Sequence, residues 1–272
     1  MAGRIWNVQI HHPGPAANSG EDFWTRGLGS QLAGVYGELL GMRLIDIGYK
    51  KLARDGDPVE IGFEYAPHDP PPAWPDPARP QQVHLDIEVG DLNNAEEVAQ
   101  RWGAKRLLDA GDHRVFADAF GHPFCLYVAA PDAGSLAARI ARVVFDCFSP
   151  RALAHFYQQL LGFTRRVLDT PERVVTAGPD PDQPMLAFQH AHFVPARWPD
   201  PVYPAQLHLD LGVADVEASA ALAEHLGAFR LPHPRGATVY ADPAAHPFCL
   251  GDLAEPDPTA EEVHRQWRDA RL

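Results

Sequence analysis

The chain has 272 residues, 46% of them hydrophobic and 22% charged, enough for a sizeable core and, at ~100–200 residues per domain, for two domains. Its 23 Lys and Arg against 36 Asp and Glu give a formal net charge of -13, which argues against nucleic acid or an anionic membrane as partner, because phosphate binding needs a basic surface. Three dispersed cysteines fit neither a disulfide framework nor a zinc motif, no stretch approaches ~18 apolar residues, and the N-terminus lacks an apolar signal core; a cytoplasmic protein is expected.

In chain order, an opening strand around Gln9 runs into HHPGPAANSGEDFWTRG, a stretch with His11, His12, Phe23 and Trp24, followed by a helix in SQLAGVYGELLGM (Ser30 to Met42). A strand in GFEYA and a proline-rich WPDP loop at Trp74 lead to PQQVHLDIEVGD (Pro80 to Asp91), a helix from Asp91 to Gly103, and a closing strand in FADAFGHPFCL. The same order then returns. RVVFDCF (Arg142 to Phe148) is β-branched and aromatic, Ser149 and Pro150 suit the cap and first position of a helix, and Gly162 stops that helix. AFQHA, a second WPDP loop at Trp198, PAQLHLDLGVAD (Pro204 to Asp215), a helix capped by Asp215 and YADPAAHPFCL complete the second round. His84 and His208, like Cys125 and Cys249, are 124 residues apart, and the two Leu-rich helices are offset by 121, so the chain is a tandem duplication. The expected units are residues 1–131, with an insertion at about 11–28, and 139–252, followed by a C-terminal helix over 253–272, where Thr259 and Glu262 form a capping box. Prolines, 27 in all, punctuate this pattern and read as rims of pockets.

Alternation on the repeated strand puts Val83, Leu85, Ile87 and Val89 on an apolar face and His84, Asp86 and Glu88 on a polar one; His208 and Asp210 repeat the polar face. If these faces line a cup, His84 and Cys125 can meet across it. His84 and His208 read either as pocket-wall residues bonded to a neighbouring Asp or as metal ligands. Cys125 reads either as a small buried hydrophobe or as a reactive thiol. Trp74 and Trp198 are rigid turns or aromatic lids over a flat ligand. An insertion present in one copy and absent from the other, with Trp24, marks where the copies acquired their difference.

The LAHFYQQLLGF helix, the HLDL strands, the helix ending in Leu-Gly-Ala and the DPAAHPFCL closing strand resemble the glyoxalase-like branch of the vicinal oxygen chelate superfamily. The resemblance implies an α+β fold of two tandem glyoxalase-like domains, each a pair of βαβββ modules forming a curved, cup-shaped mixed sheet with helices outside, so that one chain imitates a dimer or pairs as a homodimer. It places metal-ligand positions at Glu64 and His84 in copy one, at Gln189 and His208 in copy two, and at Cys125 and Cys249 on the closing strands, with Gln9 or His11 and Arg142 or Asp146 on the opening strands. The implied function is binding of a hydrophobic or aromatic metabolite in the first cup, with metal-assisted lyase, isomerase or oxygenase chemistry. A divalent ion, Fe, Zn or Mn, would sit on Glu64 and His84, Asp86 or Glu88 would act as base, and Cys125 would complete the site. Trp24, Trp74, Trp198, Gln189, His208, Asp210 and Cys249 would contact ligand. The alternative is a non-catalytic protein that sequesters a drug or natural product.

Overall fold

The computed structural model describes residues 3–14, 21–46, 49–66, 72–129, 138–197, 200, 202–232 and 239–254. The expected C-terminal helix and Trp198 lie outside the described residues. Four modules follow one another. The first holds β1 (Arg4–His12), α1 (Glu21–Thr25), α2 (Leu28–Leu40), β2 (Arg43–Asp46), β3 (Lys50–Ala53) and β4 (Glu60–Tyr65). The second holds β5 (Val83–Val89), α3 (Leu92–Arg101), β6 (Lys105–Asp109), β7 (His113–Ala117) and β8 (Pro123–Val128). The third holds β9 (Arg139–Cys147), α4 (Pro150–Leu161), β10 (Arg165–Asp169), β11 (Arg173–Ala177) and β12 (Met185–His190). The fourth holds β13 (Leu207–Val213), α5 (Val216–His225), β14 (Phe229–Leu231), β15 (Val239–Ala241) and β16 (Pro247–Asp252).

Local chemistry sets the helix ends. Asp91 and Asp215 cap α3 and α5 by accepting from the backbone N–H of Asn94 at 2.7 Å and Ala218 at 2.9 Å. Pro150 opens α4, but Ser149 makes no side-chain cap bond. Gly41 and Gly162 end α2 and α4 in the left-handed conformation, where a side chain would be strained. Leu32, Val35, Tyr36 and Leu40 of α2 and Leu153, Phe156, Tyr157 and Leu161 of α4 are buried in one hydrophobic core that the helix-side faces of both sheets share.

The architecture is the expected one: two eight-stranded mixed sheets, each built from two βαβββ modules. The pairing of modules crosses between the copies, however. Strand order β14-β15-β16-β13-β1-β4-β3-β2 joins module one to module four, and β10-β11-β12-β9-β5-β8-β7-β6 joins module two to module three. β1 meets β13 and β5 meets β9, both antiparallel. The proline-rich linkers carry the chain from the first sheet to the second and back, and they clasp where they cross. Gln82 N donates to Gln206 Oε1 at 2.8 Å and Gln206 N to Gln82 Oε1 at 3.3 Å, while the two amide groups donate to the carbonyls of Pro204 and Pro80. Prolines in these linkers therefore belong to crossovers between sheets, and Pro72, Pro80 and Pro204 line a cavity where the linkers meet.

Candidate functional site

Because the modules are exchanged, each cup combines ligand positions from both copies. In the first sheet His11 on β1 sits opposite Glu64 on β4, Gln9 opposite Gly62, and Asn7 opposite Glu60. Across the other edge of β1, Gln9 faces His208 and Asn7 faces Asp210, which itself pairs with Cys249 on β16. Alternation along β1 thus delivers Asn7, Gln9 and His11 to one polar face. His11 Nε2 and His208 Nδ1 are 2.7 Å apart, and Gln9 Nε2 donates to Asp210 Oδ2 at 3.1 Å. His208, Asp210 and Cys249 have ligand atoms within 4.8 Å of one another. Glu64 makes no hydrogen bond or ion pair with the described residues and is close enough to Cys249 for its charge to raise that thiol; burial is the larger cause, with Asp210 next. Asp210 itself is lowered: burial alone would raise it, but the hydrogen bond and charge of His208 outweigh that cost.

The second cup carries the same positions with different chemistry. Asp146 and Gln189 stand where the first cup has His11 and Glu64, and Gln189 donates to Asp146 at 2.7 Å. His84, Asp86 and Cys125 again cluster within 4.8 Å, all buried, so the expected meeting of His84 and Cys125 is observed. Asp86, with a fully buried side chain, accepts from Arg142 Nε at 2.6 Å and from Arg173 at 3.4 Å. Burial alone would raise its pKa, but His84 and then Arg142 hold it at about 2. Arg142 lies 4.8 Å from the centre of the Tyr127 ring. Burial, reinforced by Asp86, pushes the Cys125 thiol far up, which keeps it protonated. Beside the ion pair, Val144, Val175 and Ala187 form a small apolar cluster with Met185.

The expected metal pair is divided: Glu64 belongs to the first sheet and His84 to the second. The reason is the crossover, since the pairing assumed that a copy closes on itself. Glu64 instead shares a cup with His208, Asp210 and Cys249, while Gln189 joins His84, Asp86 and Cys125. Glu88 lies further along β5 and accepts from Arg139 at 2.8 Å. Trp74 sits in a half-buried turn before β5. Trp24 is 6% exposed and packs on His12, Phe23 and Phe63 away from the polar face. His122 and His246 are structural: each ring contacts the aspartate that caps its own turn, Asp118 or Asp242, and Tyr36 and Tyr157 donate to the same carboxylates from α2 and α4.

Sequence reasoning missed Asn7, Tyr49, Lys51 and Glu60. With Trp6, Asp210, Cys249, Leu250 and Gly251, three of them (Asn7, Tyr49 and Glu60) line a cavity of about 570 Å³ open to solvent. Lys51, buried beneath it, binds Glu60 at 2.9 Å. Overlaying the two copies was the available signal: by strand register Lys51 and Glu60 fall on Val175 and Met185.

A donor set of imidazole nitrogens and carboxylates without a guanidinium suits a divalent cation in the first cup, whereas the second offers Asp86 already neutralised by arginine. Among the described residues no helix is long and apolar enough to cross a membrane.

The sequence profile of the Glyoxalase-like domain family matches residues 14–127 and 142–251. Among solved structures, glyoxalase I from Zea mays superposes with a TM-score of 0.60 at 16% identity, covering 100% of this chain and 96% of that one. A Bacillus subtilis protein assigned as a dioxygenase superposes at 0.57 and 15% identity, covering 99% and 96%. At such identities the likeness is one of fold. No curated protein is significantly similar in sequence.

Proposed function

Because the chain belongs to the glyoxalase-like domain family, within the vicinal oxygen chelate superfamily, we propose that its first cup is a metal-assisted small-molecule site and its second a structural copy. The observation that carries this reading is the contact of His11 with His208 on one sheet face, with Glu64 opposite His11 in the strand register, set against an arginine-filled counterpart. The two imidazole nitrogens at 2.7 Å are near the spacing of roughly 3 Å between neighbouring ligands of an ion bound at ~2.1 Å. Fe, Zn or Mn fits this set, and the reaction class is lyase, isomerase or oxygenase on a hydrophobic or aromatic metabolite.

A bound ion would polarise a ligand oxygen and so lower the barrier to proton loss beside it or to oxygen chemistry. His11, Glu64 and His208 would hold it. Asp210, braced by Gln9, orients His208 and is the carboxylate placed to take a ligand proton, a role the sequence had given to Asp86 or Glu88, which are bound to arginines. Trp6 and Tyr49 supply apolar surface at the mouth. Cys249, kept as a thiol, serves as a wall. Three free cysteines suit the reducing cytoplasm.

Calorimetric titration of chelator-stripped protein with Mn²⁺ and Zn²⁺ tests the reading. One site per chain is expected, lost in Glu64→Gln and in His208→Ala and retained in His84→Ala. A protein that binds no divalent ion yet takes up aromatic ligands in chelator would establish sequestration instead.

A further inference from the structure

The cavity beside the proposed metal position has a chemical sign of its own. Its Asn7 and Glu60 lie four residues along β1 and β4 from the row of His11 and Glu64, or about 14 Å at ~3.4 Å per residue, and its Asp210 is two residues from His208 along β13. The charged groups that line it are carboxylates, and a buried amide oxygen stands beside them. Asn7 is 5% exposed and its Oδ1 has no partner; Glu60 and Asp210 are carboxylates. Lys51 binds Glu60, and His208 and Gln9 bind Asp210, while Glu64 belongs to the metal row. Trp6 and Tyr49 present rings at the same mouth.

The second cup is an internal control. At the positions of Asn7, Gln9, Lys51 and Glu60 it carries Arg142, Val144, Val175 and Met185, a floor of apolar side chains with a guanidinium. The scaffold therefore closes without the Lys51–Glu60 pair, whose lysine side chain is only 5% exposed and whose desolvation costs stability. Lys51 fixes one oxygen of Glu60 and so aims this carboxylate, a positioning role beneath a group that faces the ligand.

We propose that this cavity selects a flat ligand bearing a positively charged, N–H-donating nitrogen, with Glu60 and Asn7 Oδ1 accepting from it and the aromatic rims facing its ring. The proposal rests on the reading of the first cup as the ligand site and names the class of molecule that enters it; it does not depend on metal.

Three probes of one shape separate the alternatives: benzylammonium, benzyl alcohol and benzoate, titrated calorimetrically into the full chain in chelator and again with Mn²⁺. Benzylammonium is expected to bind at least tenfold more tightly than the other two in both conditions. The Lys51→Val/Glu60→Met double variant, which copies the second cup, should fold with unchanged circular dichroism and lose that preference, and Glu60→Gln should reduce it at least threefold. Equal binding of the three probes, no saturable benzylammonium binding at millimolar concentration, or a preference that survives in either folded variant would overturn the proposal. Loss of metal binding with the preference intact would overturn only the metalloenzyme reading.

Discussion

Replacing Asp86 by Asn tests whether the second cup is held shut by its ion pair. The carboxylate is fully buried, accepts from Arg142 at 2.6 Å and Arg173 at 3.4 Å, and is held at about 2 where 3.8 is usual. Since its folded pKa is depressed, the stability it contributes is present above about 3.8 and is lost as pH falls toward 2. That shift corresponds to on the order of 2.5 kcal/mol at neutral pH. Asp86→Asn also strands Arg142, whose side chain is 19% exposed, so the total should approach about 3 kcal/mol, the lower end of the range for breaking a buried pair. In a chain of this size that lowers the melting temperature by roughly 5 °C. The double variant Asp86→Leu/Arg142→Met should recover most of the loss, because two apolar side chains leave no charge unpaired beside Val144 and Met185. Urea and thermal unfolding followed by circular dichroism give the values, and metal titration runs in parallel. A cost below about 0.5 kcal/mol, or loss of the metal site in Asp86→Asn, would refute the structural role of this cup.

Other perturbations follow from the same geometry. His12 is buried among aromatic rings, and burial, with smaller effects of His122 and His11, lowers its pKa to about 4. The unfolded chain takes up its proton near 6.5, so stability should fall by up to about 3 kcal/mol between pH 6.5 and 4, and His12→Phe should flatten that slope in pH-dependent melts. Ala245 adopts φ 70 where the first copy has Gly121, so Ala245→Gly should stabilise by about 0.5–1 kcal/mol in denaturant titration. A Cβ at Gly62 would come within 2.1 Å of Gln9 Oε1, so Gly62→Ala should swing Gln9 off Asp210 and cost about 1–2 kcal/mol together with weaker ligand binding in the first cup only.

Much of this was legible in the sequence because periodicity and repetition are local. The offset of 124 made His208 the counterpart of His84, alternation placed Asp210 and Cys249 with it, and Asp91, Asp215 and Gly162 marked helix ends that the structure reproduces. The module pairing was not legible. It depends on the clasp of Gln82 with Gln206, far apart in the chain, and a linker's path leaves no period behind. That single unknown explains why Glu64 was coupled to His84 and not to His208. Lys51 escaped notice for another reason: nothing local in KKLA marks one lysine as buried, and only the glycine opposite it, Gly62, leaves room for Gln9 to lie over the floor.

The position of Mn²⁺ in crystals soaked with that ion, located by anomalous diffraction, bears most directly on which cup works. A single peak contacting His11, Glu64 and His208, with none within reach of Arg142, is the predicted result. A peak on His84, Asp86 and Cys125 would contradict it.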